Sequence, residues 1–166
     1  MPLDFSRLQL LLVDDNDFMR DLYCQILEAI GFRKSNITTA ADGSEALARL
    51  REQRIDLVIC DLNMKPMNGK KFTHYVRMNE DSPDPYLPII ICTGHAEMRH
   101  IAHARDCGAN EILRKPVSAA SLYARLQSVV ESPRPFILSP NFVGPDRRRQ
   151  DLPFNGPDRR SQTIDL

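Results

Sequence analysis

Apolar runs and segments with helical periodicity alternate along the first 131 residues of the chain. This alternation predicts an α/β fold, a doubly wound five-stranded parallel sheet with helices on both faces. The predicted strands are about Leu8–Val13, Ile37–Thr39, Leu57–Cys60, Leu87–Cys92 and Glu111–Leu113. The predicted helices are about Asp17–Ile30, Ser44–Arg51, Gly69–Met78, Glu97–Cys107 and Ser118–Glu131.

Polar side chains follow four of these strands, at the point where each strand ends. In an open parallel sheet, ligands bind beyond the carboxyl ends of the strands, so we expect these side chains to share one cleft. Three clustered carboxylates need a cation, and Mg²⁺ fits best because it leaves room for a phosphoryl oxygen. The side chains are Asp14 and Asp15, Asp61, Thr93, and Lys115.

Asp61 is the candidate nucleophile of this cleft, since a carboxylate can accept a phosphoryl group as an acyl phosphate. Lys115 and Mg²⁺ would neutralise charge on the transferring group, and Thr93 would donate a hydrogen bond to a phosphoryl oxygen. Singly, an acidic pair, a strand-end threonine and a lysine before proline are ordinary surface residues. Their joint order and placement favour a catalytic role.

In this order the motifs resemble the receiver domain of two-component response regulators, of the CheY-like type. The matching segments, within roughly residues 6–131, are LLLVDDN, VICDLNMKPMNG, IIICTG and ILRKPV. The resemblance implies a flavodoxin-like sheet with strand order 2-1-3-4-5. It also implies that Asp15, Asp61 and the backbone carbonyl of Asn63 bind Mg²⁺ directly, while Asp14 acts through water.

The resemblance further implies a signalling role rather than that of a conventional enzyme. The protein would catalyse its own aspartyl phosphorylation and dephosphorylation, taking phosphate from a sensor histidine kinase or a histidine phosphotransfer protein. Phosphorylation would pull Thr93 inward and change contacts with an unknown downstream protein. A phosphorelay intermediate or a phosphate sink is the alternative, and dimer formation stays open. A non-phosphorylated scaffold is disfavoured by the complete set of site residues, and a transcription factor by the missing DNA-binding output domain.

Two places depart from the family pattern. Ile112 stands where the family usually has an aromatic side chain that swings inward on activation, so a rotamer switch of the tyrosine type is excluded. Lys65 separates Met64 from Pro66, which allows a different turn after Asp61 and brings a lysine within reach of the cleft.

Composition excludes several other classes of protein. The 166 residues are 42% hydrophobic, carry no formal net charge, and suit one compact domain with an additional segment. Neutral charge favours neither nucleic acid nor a membrane surface. The sequence has neither a secretory signal nor an apolar run of about 18 residues, so we expect a cytoplasmic protein. Cys60 and Cys92 are expected in the core rather than in a disulfide.

The composition changes after Glu131, which predicts a receiver domain over 1–132 and an irregular or disordered tail over 133–166. The tail repeats F-x-G-P-D-R-R with a period of twelve residues. Paired arginines after a Gly-Pro-Asp turn suit carboxylates or phosphates. With six arginines against four aspartates, we rank protein docking first, packing on the receiver or a dimer mate second, and nucleic acid a distant third. The candidate docking residues are Phe142, Arg147, Arg148, Phe154, Arg159 and Arg160.

Overall fold

The computed structural model describes residues 3–94, 106–146 and 162–166, which contain eight strands and four α-helices. The predicted fourth helix lies mostly outside these residues. The strands are β1 (Leu10–Val13), β2 (Ile37–Ala40), β3 (Leu57–Asp61), β4 (Ile89–Thr93), β5 (Glu111–Arg114), β6 (Phe136–Ser139), β7 (Phe142–Pro145) and β8 (Gln162–Ile164). The helices are α1 (Asp17–Ile30), α2 (Gly43–Glu52), α3 (Gly69–Met78) and α4 (Ala119–Glu131).

Five parallel strands form the main sheet in the order β2-β1-β3-β4-β5. The predicted fold class and strand order are therefore confirmed. Val13 pairs with Cys60 and Asp61 pairs with Cys92, so the ends of β1, β3 and β4 are nearly level. All five carboxyl ends meet at one edge of the sheet, and the amino-terminal ends form the opposite edge, which we call the base.

Both faces of the main sheet are buried, which explains why its strands are almost continuously apolar. Alternate residues of β1 enter opposite clusters, with Leu11 on one face and Leu12 on the other. Cys60 and Cys92 are buried in opposite clusters as well, and both are free thiols. The prediction that these two cysteines are core residues is confirmed.

Helix ends are fixed by polar side chains and by glycine. The side chain of Asn16 accepts a hydrogen bond from the amide of Met19 at the start of α1, and Gly31 ends that helix with a φ of 123°. Ser118 and Ser121 form a reciprocal capping box at the start of α4. None of the described helices is long and apolar enough to cross a membrane.

Gly69 allows α3 to approach the end of β3 very closely. A Cβ atom at this position would collide with the carbonyl oxygen of Asp61, so no larger residue fits without a backbone shift. The amide of Gly69 also donates a hydrogen bond of 3.0 Å to the carbonyl oxygen of Leu62. The first turn of α3 therefore holds the backbone around Asp61 in place.

The described part of the tail contains regular structure that the sequence did not predict. Strands β7, β6 and β8 form a separate antiparallel sheet in that order. Phe136 on β6 is fully buried, against the guanidinium of Arg77 on α3 and the ring of Tyr86. These residues of the tail thus pack on the main domain, the alternative ranked second from the sequence.

Replacing Gly69 with alanine is expected to lower the free energy of unfolding by about 1–3 kcal/mol, because the new methyl group must displace backbone atoms. Gly94→Ala is the matched control, since the nearest atom to its new Cβ is 4.0 Å away. Chemical denaturation of both variants measures the difference. Equal, small changes in the two variants would contradict the close approach of α3 to β3.

Candidate functional site

Three carboxylates meet at the carboxyl edge of the main sheet. Asp14 and Asp15 follow β1 and Asp61 ends β3, and each offers an oxygen within 4.8 Å of the others. We call this group, together with Lys115, the acidic cleft. The structure thus brings together side chains from separate strands, as the sequence predicts.

Asp14 is held rigidly, with its side chain turned into the protein. One carboxylate oxygen, Oδ1, accepts a hydrogen bond of 2.9 Å from the amide of Asn16. The other oxygen, Oδ2, is buried without a hydrogen-bond partner and lies 3.5 Å from Nζ of Lys115. A buried carboxylate oxygen left in this way is suited to a cation or to a bound water.

Lys115 supplies the positive charge of the acidic cleft. Its Nζ lies 3.1 Å from Oδ1 of Asp61, so one ammonium group contacts two of the three carboxylates. The backbone places it there, since the amide of Lys115 donates a hydrogen bond of 2.9 Å to the carbonyl oxygen of Thr93. This hydrogen bond attaches Lys115, which directly follows β5, to the end of β4.

Burial and neighbouring charges act in opposite directions on these groups. Burial raises the pKa of Asp61, and Lys115 partly offsets this while the two other carboxylates add to it. For Lys115, burial acts to lower the pKa, but attraction to Asp61 and Asp14 outweighs it and the net shift is upward. One ammonium facing three carboxylates leaves an excess of negative charge in the cleft.

The remaining predicted residues surround this cluster. Thr93 is fully buried at the end of β4, and Asn63 is exposed in the loop after β3. Ile112 is a buried aliphatic residue on β5, paired with Ile91 of β4. Lys65 is exposed. The roles of Thr93 and of the Asn63 carbonyl remain predictions.

The donor set fits a small, hard cation. Mg²⁺ takes oxygen ligands from one or two carboxylates and keeps several waters. The cleft offers three carboxylates from two adjacent strands, with one buried oxygen that lacks a hydrogen bond. Asp14, Asp15 and Asp61 are therefore the residues of this chain that would hold the ion.

Two apolar side chains near the start of α1 are exposed, a feature that the sequence analysis did not predict. Phe18 is 73% exposed and Leu22, one turn further along α1, is 38% exposed. Phe18 comes three residues after Asp15, at the end of α1 that faces the acidic cleft. The i, i+4 spacing of two apolar residues outside the buried stripe of α1 is the signal that could have identified them.

The predicted docking residues of the tail are only partly described. Phe142 is half-buried at the start of β7, and the ring lies against Gly144 of the same strand. Arg147, Arg148, Phe154, Arg159 and Arg160 lie outside the described residues. Their docking role stays a prediction.

Sequence comparisons match this arrangement to one family. Residues 10–127 match the response regulator receiver domain. The chemotaxis protein CheY-3 of Vibrio cholerae is 32% identical over 126 residues, which cover 76% of this chain and 94% of that protein. A probable chemotaxis protein CheY of Rhizobium etli is 32% identical over 124 residues, 75% of this chain and 93% of the relative.

Solved structures agree with the sequence comparisons. Vibrio cholerae CheY4 superposes with a TM-score of 0.65 at 33% identity, covering 74% of this chain and 98% of that one. The receiver domain of a sensor histidine kinase from Pseudomonas aeruginosa PAO1, with magnesium in its active site cleft, has a TM-score of 0.65 at 29% identity, covering 74% and 97%. The chain therefore belongs to the response regulator receiver domain family.

Proposed function

We propose that this protein is a phosphorylation switch in which Asp61 accepts a phosphoryl group from a phosphohistidine in a Mg²⁺-dependent reaction. The observation that carries the proposal is the contact of Lys115 Nζ with Asp61 Oδ1, at 3.1 Å, inside a cluster of three carboxylates. Phosphoryl transfer depends mainly on positioning and charge neutralisation, and this cleft offers both.

In the transfer step, a carboxylate oxygen of Asp61 attacks phosphorus and forms the new O–P bond. The P–N bond of the phosphohistidine breaks, and the leaving imidazole keeps the electron pair and takes up a proton. Lys115 neutralises charge on the phosphoryl oxygens, and Thr93 donates a hydrogen bond to one of them. A hydrogen bond from the backbone amide of Lys115 to the carbonyl oxygen of Thr93 helps to position the two residues relative to each other.

Asp14, Asp15, Asp61 and the backbone carbonyl of Asn63 are the groups that would hold Mg²⁺. The bound ion would supply charge neutralisation for the entering phosphoryl oxygens. The magnesium in the cleft of the Pseudomonas receiver domain supports this assignment by analogy. The excess negative charge around Lys115 supports it from the chain's own residues.

The phosphate donor would be a sensor histidine kinase or a histidine phosphotransfer protein. Such a donor must bring its phosphohistidine to the mouth of the acidic cleft. Phe18 and Leu22 are exposed apolar residues near the start of α1, the helix that follows Asp14 and Asp15, and apolar residues at the centre of an interface often carry much of its binding energy. We therefore assign donor docking to this part of α1.

Phosphorylation would alter contacts with a downstream protein. The tail residues Phe142, Arg147, Arg148, Phe154, Arg159 and Arg160 remain candidates for that contact, by the chemistry of their repeated motif.

Asp61→Asn is expected to abolish labelling by a small phosphodonor in Mg²⁺, because an amide oxygen is too weak a nucleophile. The matched control is Asp56→Asn, which changes an aspartate at the base end of β3 and should keep labelling near that of the native protein. Phosphate incorporation measured by mass spectrometry distinguishes the two. Labelling that persists in Asp61→Asn at another residue would contradict the assignment.

Lys115→Ala is expected to separate metal binding from phosphoryl transfer. Removing the competing ammonium should tighten Mg²⁺ binding about tenfold, or about 1.4 kcal/mol. Losing the charge that stabilises the transferring group should slow phosphorylation about 100-fold or more. Calorimetric Mg²⁺ titration and labelling rates measure the two effects, with Lys34→Ala before β2 as a control. Weaker Mg²⁺ binding in Lys115→Ala would be inconsistent with this role.

Phe18→Ala and Leu22→Ala are expected to slow phosphotransfer from a phosphorylated histidine phosphotransfer protein about tenfold, through weaker docking. Labelling by a small phosphodonor should be unchanged, since neither side chain belongs to the acidic cleft. Val130→Ala is the control, because Val130 is also 38% exposed but lies near the far end of α4. Equal slowing with both kinds of donor would rule out a docking role.

A further inference from the structure

The tail is seated on the base of the main sheet, at the edge opposite the acidic cleft. We call its β6–β7 hairpin, residues 136–145, the latch. The ring of Phe136 lies 4.9 Å from the guanidinium carbon of Arg77 and meets the ring of Tyr86 edge-on at 5.3 Å. This pocket fully buries Phe136, so the latch has a defined seat.

Two glycines let the latch touch the backbone of the main domain. A Cβ atom at Gly144 would lie 2.8 Å from the Cα of Gly108, and one at Gly108 would lie 2.7 Å from the carbonyl oxygen of Val143. Real Cβ atoms essentially never approach so closely. At Gly144 the obstacles are the backbone of Gly108 and, also at 2.8 Å, the ring of Phe142 within the latch. A single methyl group on Gly144 would therefore lift the latch from its seat.

The latch covers the guanidinium of Arg77, and the hydrogen bonds of this cation go to neutral groups. The guanidinium of Arg77 donates to the carbonyl oxygens of Gly108 at 3.0 Å and Pro85 at 2.8 Å, and to Oδ1 of Asn110 at 2.9 Å. Burial lowers the pKa of Arg77, which reflects how poorly the site solvates the cation. The cation–π contact with Phe136 offsets part of that cost.

The latch is therefore expected to be held only weakly. Covering Arg77 excludes water from a cation, and the tail sheet has three short strands of 4, 4 and 3 residues, so it depends on its contacts with the main domain. Elements with few buried contacts open at lower free energy than the core.

Arg134, which precedes the latch, contacts the residue at the start of one of the two strands that serve the cleft. Oδ1 of Asn110 accepts from the amide of Ile89 at 2.9 Å, and the amide of Asn110 donates to the carbonyl oxygen of Ile89 at 2.8 Å. Arg134, just ahead of β6, donates to the carbonyl oxygens of Asn110 and Asp146. Arg134 thus links the residues on either side of the latch to Asn110, which precedes β5 and is hydrogen-bonded to the first residue of β4.

The same two strands lead directly to the acidic cleft. β4 ends at Thr93, and β5 ends one residue before Lys115. The backbone amide of Lys115 donates a hydrogen bond to the carbonyl oxygen of Thr93. Lys115 contacts the free carboxylates of Asp61 and Asp14 in this structure. A phosphoryl group on Asp61 would draw Lys115 toward its own oxygens and so shift the ends of both strands.

We propose that the latch is an intramolecular switch element that phosphorylation of Asp61 releases from the base. This inference rests on the proposed phosphorylation of Asp61. Since linkage is reciprocal, a chain whose latch is already lifted must bind a phosphoryl mimic more tightly. Release would expose the Arg77 seat.

Hydrogen exchange of the full-length protein, with and without beryllofluoride in Mg²⁺, tests the release. Beryllofluoride is expected to speed exchange of the latch amides about tenfold, with the amides of α2 as an internal reference. In the reciprocal test, Gly144→Ala and Arg134→Ala should each tighten beryllofluoride binding about fivefold. Gly156→Ala, at the equivalent place in the second copy of the motif, is the matched control and should leave binding unchanged.

The outcomes separate this inference from the proposed function. If beryllofluoride binds in the cleft but neither latch exchange nor the affinity of the two latch variants changes, the switch is overturned and Asp61 remains the acceptor. An equal change in Gly156→Ala would also overturn it, because the effect would not come from the seat at Gly108. Failure of beryllofluoride to bind at all would instead overturn the proposed function, and the switch with it.

Discussion

The contact between Lys115 and two buried carboxylates is the interaction on which the cleft depends. Carboxylates that close together repel one another, so the group needs a cation among them. Lys115 supplies one positive charge for three carboxylates, and the charge that is left attracts a divalent ion. The cleft thus keeps a net negative charge, which suits the divalent ion that the proposed phosphorylation of Asp61 needs.

The parallel sheet explains why this contact can form. Side chains that are far apart in sequence meet because all five strands end at one edge, where Asp61 and Lys115 face each other. The opposite edge, the base, binds the tail through Arg77 and Asn110. β4 and β5 run between these two places, so the proposed coupling passes along these two strands.

The main domain could be predicted because each of its signals is local. Buried parallel strands are continuous apolar runs, helices begin at residues such as Asn16, and polar residues at strand ends mark the cleft. The tail strands could not be predicted because their apolar runs are short and closely flanked by proline, as Phe136–Ser139 is by Pro135 and Pro140. The partners of Arg77 come from two loops and the tail, and no sequence spacing identifies such contacts.

The central claim is that Asp61 accepts a phosphoryl group, and chemical trapping tests it most directly. The full-length protein would be incubated with a small phosphodonor in Mg²⁺ and then reduced with borohydride, which converts an aspartyl phosphate to homoserine. We predict homoserine at position 61 alone, and none when Mg²⁺ is removed. Homoserine at another position, or at position 61 without Mg²⁺, would contradict the proposed Mg²⁺-dependent phosphorylation of Asp61.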